Sequence, residues 1–193
     1  MPLGAARFGL LGGVADLGKL ELIETQTITT SSSSIDFTTL NESTYNVHFV
    51  TFNNLQHTAN DKELYLRFSD DGGSTYETTN YQYAEQHCDT DGAFGAFQST
   101  SAANIFLAVN QGFNANESAN GYFYLYNAGD SSKYTFVTMH NTQIKDLGTS
   151  YYRSVFGSGV YAVASTINAF RLIPKPTCNI DNAVVSLYGI RYS

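Results

Sequence analysis

Residues 63–76 read ELYLRFSDDGGSTY, and they decide the fold class. Leu64, Leu66 and Phe68 alternate with Tyr65 and Arg67, a period of two that puts one apolar face on a strand and leaves the other to solvent. The run ends at Ser69-Asp70-Asp71-Gly72-Gly73, where glycine supplies the positive φ of a tight turn. The spacing predicts a hairpin whose return is an aromatic strand from Thr75 to Ala84, through Tyr76, Tyr81 and Tyr83.

The same period recurs outward in both directions. Leu20 and Leu22 alternate with Glu21 and Ile23, followed by a Thr/Ser-rich stretch, residues 25–34, that reads as an edge or loop. Tyr45 to Leu55 puts Val47, Phe49 and Thr51 on one face and His48, Val50 and Phe52 on the other. Both faces are partly apolar, as in a central strand. Beyond the middle, Tyr122–Tyr126 leads through NAGDSS into Tyr134–Met139 as a hairpin. Tyr151–Ala164, Ile167–Ile173 and Ala183–Arg191 complete the set. Residues 87–98 (HCDTDGAFGAFQ), with two glycine turns, and residues 110–120 read as loops, and Asn104–Val109 as a short strand or a single helical turn. About nine or ten short strands with turn signals and no helix make an all-β antiparallel β-sandwich, jelly-roll-like. No internal repeat is visible.

Composition agrees. Tyr and Phe are abundant, and charged residues are 14% of the chain against about 25% in ordinary domains. Few charges with many aromatics is the reverse of disorder. At 193 residues the chain can bury a core as one domain, or one domain with an arm. A net charge of −7, with ten scattered basic residues, argues against nucleic acid, whose phosphates need clustered Lys and Arg. The most apolar stretch, Phe8 to Leu17, is shorter than the ~20 residues of a spanning helix, and no small-residue cleavage site follows it, so neither membrane insertion nor a secretory leader is expected.

Residues 1–18 stand apart from the body, 19–193. Their PLGAARFGLLGGV is too glycine-rich for a stable helix and cannot bury Leu3, Phe8, Leu10 and Leu11 on itself, so it reads as an extended N-terminal arm that docks elsewhere, with Arg7 beside those apolar anchors.

Each group that could carry chemistry also has a plain structural role. The acidic turn at Asp70–Gly73 suits calcium carboxylates, but Asp and Gly are also what such turns require. Asp89-x-Asp91-Gly92 opens like a calcium loop yet lacks the later oxygen ligands. His48, His57, His87 and His140 share no short spacing, and no nucleophile elbow is present. Glu42, Glu77, Glu85 and Glu117, the carboxylates a glycosidase would need, lie in separate regions. Cys88 and Cys178 fit either one bridge or two buried thiols. The expectation is a non-enzyme with no cofactor and no bound metal. One binding-type feature remains: Tyr122, Tyr124 and Tyr126 share a face, as either a sheet surface packed laterally or a ligand or subunit face.

Several segments together resemble small virion proteins of tailed phages, of the capsid-decoration, head-fibre or tail-fibre type. They are the MPLGAARFGLLGG arm, SIDFTTLNESTYNVHFV, LYLRFSDDGGSTY, INAFRLIP and the closing VVSLYGIRY, in which SLYGIR is the most distinctive piece. The likeness covers most of residues 35–192; residues 85–120 have no counterpart. The resemblance implies a multimeric jelly-roll module displayed on a virion assembled in the host cytoplasm, a trimer or other homo-oligomer bound to capsid or tail proteins. The expected function is therefore a decoration (cement) or fibre protein anchored through residues 1–18. The alternatives are a carbohydrate-binding module recognising a host-surface glycan through the tyrosine face or residues 85–120, and, last, a glycan hydrolase or esterase.

Overall fold

A computed structural model describes residues 19–146 and 148–191. The arm and its candidate anchors, Leu3, Arg7, Phe8, Leu10 and Leu11, lie outside the described residues. Those described form twelve antiparallel strands and no helix: β1 (Leu20–Ile28), β2 (Ile35–Phe37), β3 (Val47–His57), β4 (Lys62–Ser69), β5 (Tyr81–Asp89), β6 (Phe94–Ala102), β7 (Ile105–Gln111), β8 (Ala119–Tyr126), β9 (Thr135–Asp146), β10 (Ser150–Tyr161), β11 (Ala169–Pro174) and β12 (Ile180–Ile190).

The strands make two layers. One runs β1-β12-β3-β8-β9-β10-β5-β6, and the other β2-β11-β4-β7. The chain changes layer at every connection except β5→β6, β8→β9 and β9→β10, the winding of a jelly roll. Leu64, Leu66 and Phe68 of β4 point inward, fully buried, against Val50, Phe52, Phe123, Leu125, Val185 and Leu187 of the larger layer. Phe170 stacks on Phe37 at 4.8 Å and meets Phe123 edge-on at 5.8 Å.

At one end the layers are joined without a continuous ladder. β7 pairs with β9 only at Gln111 and Lys145. Further along, the side-chain amides of Asn141 and Gln143 on β9 donate to the carbonyls of Leu107 and Val109, and Gln111 donates to Leu55. Buried carbonyls need a donor, and here side chains supply what a paired strand would have supplied.

Two local readings are corrected. The Asp71-Gly72 turn forms, with φ of 74° at Gly72 and 88° at Gly73, but it does not close a hairpin. Both edges of β4 are already paired, with β11 and β7, so the returning segment has no ladder to join. Instead the Phe68 N–H donates to the Tyr81 hydroxyl (2.8 Å), the Phe68 carbonyl accepts from the Glu77 N–H (2.8 Å), and β5 starts at Tyr81 in the other layer. The supposed loop over 87–98 is the β5–β6 hairpin. Gly92 makes its turn (φ 87°), but Gly95 is a strand residue lying under the His87 ring, where a Cβ would come within 2.4 Å of Nε2. Residues 105–111 are strand, not a helical turn, and residues 20–28 are the edge strand β1.

Candidate functional site: an uncharged sheet face

Antiparallel partners share a face, so the registers fix what the larger layer shows outward. One row crosses all eight strands as Leu22, Tyr188, Phe49, Tyr124, Thr138, Ser158, Ala84 and Gln98. The row beside it holds Thr25, Ser186, Thr51, Tyr122, His140, Phe156, Gln86 and Ala96. On the other side lie Leu20, Ile190, Val47, Tyr126, Phe136, Val160 and Gln82. A fourth row carries Thr27, Val184, Asn53, and then Asn120, Thr142, Ser154, Cys88 and Phe94. No Asp, Glu, Lys or Arg stands in any of the four rows.

The three predicted tyrosines are brought together here and joined by residues the sequence reading had not grouped with them. Phe49 packs against Tyr122, Tyr124 and Tyr188 at centroid distances of 5.7, 4.8 and 6.1 Å. Tyr122 meets Tyr124 edge-on at 6.0 Å, and Tyr124 stacks on Tyr126 at 6.1 Å. Beyond β8, Phe136 and Phe156 stand exposed on either side of the Thr138–Ser158–Ala84 row. That small-residue floor forms a shallow groove of about 450 Å³, continued by a neighbouring one of about 390 Å³ beside Phe156. The amides of Gln82, Gln86 and Gln98 border these grooves.

Four charged side chains of this layer, Glu85, Asp89, Lys145 and Arg153, lie on its inner face. Asp89 accepts from Arg153 Nε (2.6 Å) and Nη2 (2.8 Å) and from Lys145 Nζ (2.9 Å), and the Arg153 Nη1 donates to the Asn110 side-chain oxygen (3.1 Å). The hydrogen bonds from Arg153 hold the Asp89 carboxyl down at about 2. Next to it Glu85 Oε1 meets His87 Nδ1 at 3.1 Å, while burial pushes the Glu85 carboxyl above the usual carboxylate range. These groups knit β5, β9 and β10 together; Asp89 and Glu85 are buried away from solvent.

The other candidate residues have local partners. Asp71 takes the Ser69 hydroxyl (2.7 Å) and the Thr75 N–H (2.9 Å) on one oxygen and the Thr75 hydroxyl (2.7 Å) on the other, which brings its carboxyl to about 2. Asp91 accepts from the Ala93 N–H (3.0 Å). Glu117 holds the Asn114 N–H and side-chain amide and the Ser150 hydroxyl. No hydrogen bond or ion pair joins any two of Glu42, Glu77, Glu85 and Glu117. Among the described residues one Ser–His hydrogen bond is present, His140 Nε2 to Ser154 Oγ at 3.2 Å; it lies open on the sheet face, and no described carboxylate is hydrogen-bonded to that histidine. His48 bonds the Leu40 carbonyl (2.7 Å) and His57 is buried. Cys88 and Cys178 are free thiols, half-buried, so the bridge is not formed. Among the described residues no three His, Cys, Asp or Glu side chains converge as a metal centre. Comparison with protein-family models, with curated proteins and with solved structures finds no match.

Proposed function

We propose that this chain is a structural component of a phage particle, displayed on its surface as a decoration (cement) or fibre protein and working by contact rather than catalysis. The observation that carries the reading is the broad sheet face of aromatic, amide and hydroxyl side chains without a charge, a composition that protein interfaces favour at their core. The segment resemblances, with SLYGIR in β12, point the contact towards other virion proteins and further copies. Residues 1–18 are the proposed attachment to the capsid or tail. The test is incorporation. Full-length protein and a deletion of Met1–Gly13 are supplied during particle assembly, and purified particles are probed for each. The full chain is expected on the particle and the truncation in the soluble fraction. Equal incorporation of both would overturn the anchoring, and absence of the full chain would overturn the virion reading itself.

A second reading, recognition of a host-surface glycan, is favoured by the exposed ring of Tyr122 with the half-buried Tyr124 beside it, since aromatic faces with polar tips suit sugar stacking. A glycan array with the full chain and with Tyr124→Ala separates the two. Binding lost in the variant supports it, and uniform silence of the wild type sinks it.

A further inference from the structure

We infer that the uncharged face of the eight-stranded layer is buried against a second copy of this chain. The inner face of β5, β9 and β10 buries Tyr81, Val137, Met139, Val155 and Tyr161, but towards one end it turns to charge while rings stand on the outside. These strands direct Glu85, Asp89, Lys145 and Arg153 inward, where charge is costly, and Phe136 and Phe156 outward. A sheet whose outer side met only water would gain by the opposite arrangement.

The charge of the chain selects the occupant. At −7, two copies repel through most of their surface, and this face lets them approach without setting carboxylate against carboxylate. The partner's same face has the same lack of charge, so a self-contact desolvates no ion on either side.

The area suffices. Eight strands at ~4.8 Å spacing and four side-chain rows ~6.8 Å apart cover roughly 38 by 27 Å, about 1,000 Å². A stable specific interface takes about 800 Å² from each partner. The aromatic cluster around Phe49 and Tyr124 supplies the central anchors such contacts depend on. The amides of Gln82, Gln86 and Gln98, whose side chains have no hydrogen-bond partner among the described residues, supply donors and acceptors for its polar margin.

The inference deepens the proposed structural role, but its test needs no particle, so each can fail alone. Sedimentation velocity of the full chain is compared with Tyr124→Glu and Phe156→Glu, and with Thr78→Glu in an exposed loop outside this face as a control. The wild type and the control are expected to sediment as the same homo-oligomer. Each face variant should associate about 100-fold more weakly or worse, because a carboxylate would be buried without a partner. Hydroxyl-radical footprinting of the wild type covers the case of a variant that does not fold. Tyr122 and Phe156 should be protected when concentrated and gain reactivity on dilution. A monomeric wild type overturns the inference, whether the monomer leaves the face open, covers it with its own residues 1–18, or binds glycan there. So does an oligomer unmoved by both substitutions.

Discussion

The four-stranded layer meets solvent with charges held in pairs, whereas the eight-stranded layer meets it with rings and amides. On the first, Arg171 grips Asp36 with two hydrogen bonds of 2.6 Å and lies 4.0 Å over the Tyr76 ring, and Lys175 reaches Glu63 at 3.0 Å. On the second, Glu85, Asp89, Lys145 and Arg153 have been drawn inside. The two layers share one core and one period of alternation, so the difference comes from which side chains occupy the outward positions. A face that keeps its ions suits water; a face that hides them suits another protein.

The largest test of that contrast strikes the charges turned inward. Arg153→Met would leave Asp89 with Lys145 as its remaining partner and is expected to destabilise the fold by about 3–5 kcal/mol, because a buried carboxylate loses its main counter-charge. The double variant Asp89→Asn/Arg153→Met should recover part of that loss in urea denaturation, since it removes the uncompensated charge. An Arg153→Met protein as stable as wild type would show that the pair contributes no structure. The sign with pH follows from the low Asp89 value. Its contribution is complete above the ordinary Asp range near 4 and declines as pH falls towards about 2.

The fold class was legible in the sequence, and most of the face was not, for a reason these residues make clear. Alternation in ELYLRFS assigned Leu64, Leu66 and Phe68 inward, and they are core; in YNVHFVTF it separated two faces without choosing between them, and His48, Val50 and Phe52 are the buried one. It also grouped Tyr122, Tyr124 and Tyr126. What joins them to Phe49, Tyr188, Phe136 and Phe156 is cross-strand register, a long-range property that no local period carries. The β5–β6 hairpin was hidden by Gly95, which reads as a turn signal until His87 is seen lying across it. The hairpin expected at Asp71-Gly72 failed for the converse reason. Its turn chemistry was right, but β4 had no free edge.

His57 offers a test at the inner margin of β3. Burial takes its imidazole down to about 4 from an ordinary value of 6.5, with the charge of Lys62 adding in the same direction, and neither ring nitrogen has a partner among the described residues. The folded state thus prefers the neutral ring. Its stabilising contribution is full above pH 6.5 and is lost as pH falls through that range towards 4, about 2–3 kcal/mol at the lower end. His57→Leu should flatten the stability profile between those values. Burial also lowers His48, so the slope should shrink rather than vanish. An unchanged slope would place the proton uptake elsewhere.

Gly189 tests how the SLYGIR strand supports the aromatic face. A Cβ there would meet three Tyr45 ring atoms at 2.3–2.5 Å, and that ring is pinned by the hydrogen bond from its hydroxyl to Glu21 at 2.6 Å. Gly189→Ala should cost about 1–3 kcal/mol through overpacking. Because the clash lies beneath the sheet and Tyr188 lies above it, thermal stability should fall while any self-association at saturating concentration is kept. Loss of both together would mean that the face depends on the glycine for its shape.

The smallest effect is expected where the charges are most visible. Asp36→Ala removes the partner of Arg171 on the outer side of β2, yet both side chains are about a third exposed, and solvent already screens the pair. Arg171 also keeps its place over the Tyr76 ring. The loss should stay below about 1 kcal/mol in urea denaturation, with the oligomeric state unchanged. A shift in association caused by Asp36→Ala would break the contrast between the layers at its root, because it would make the charged face part of the contact. Silence there, with dissociation from Tyr124→Glu on the opposite layer, locates self-recognition in the rings and not in the ions.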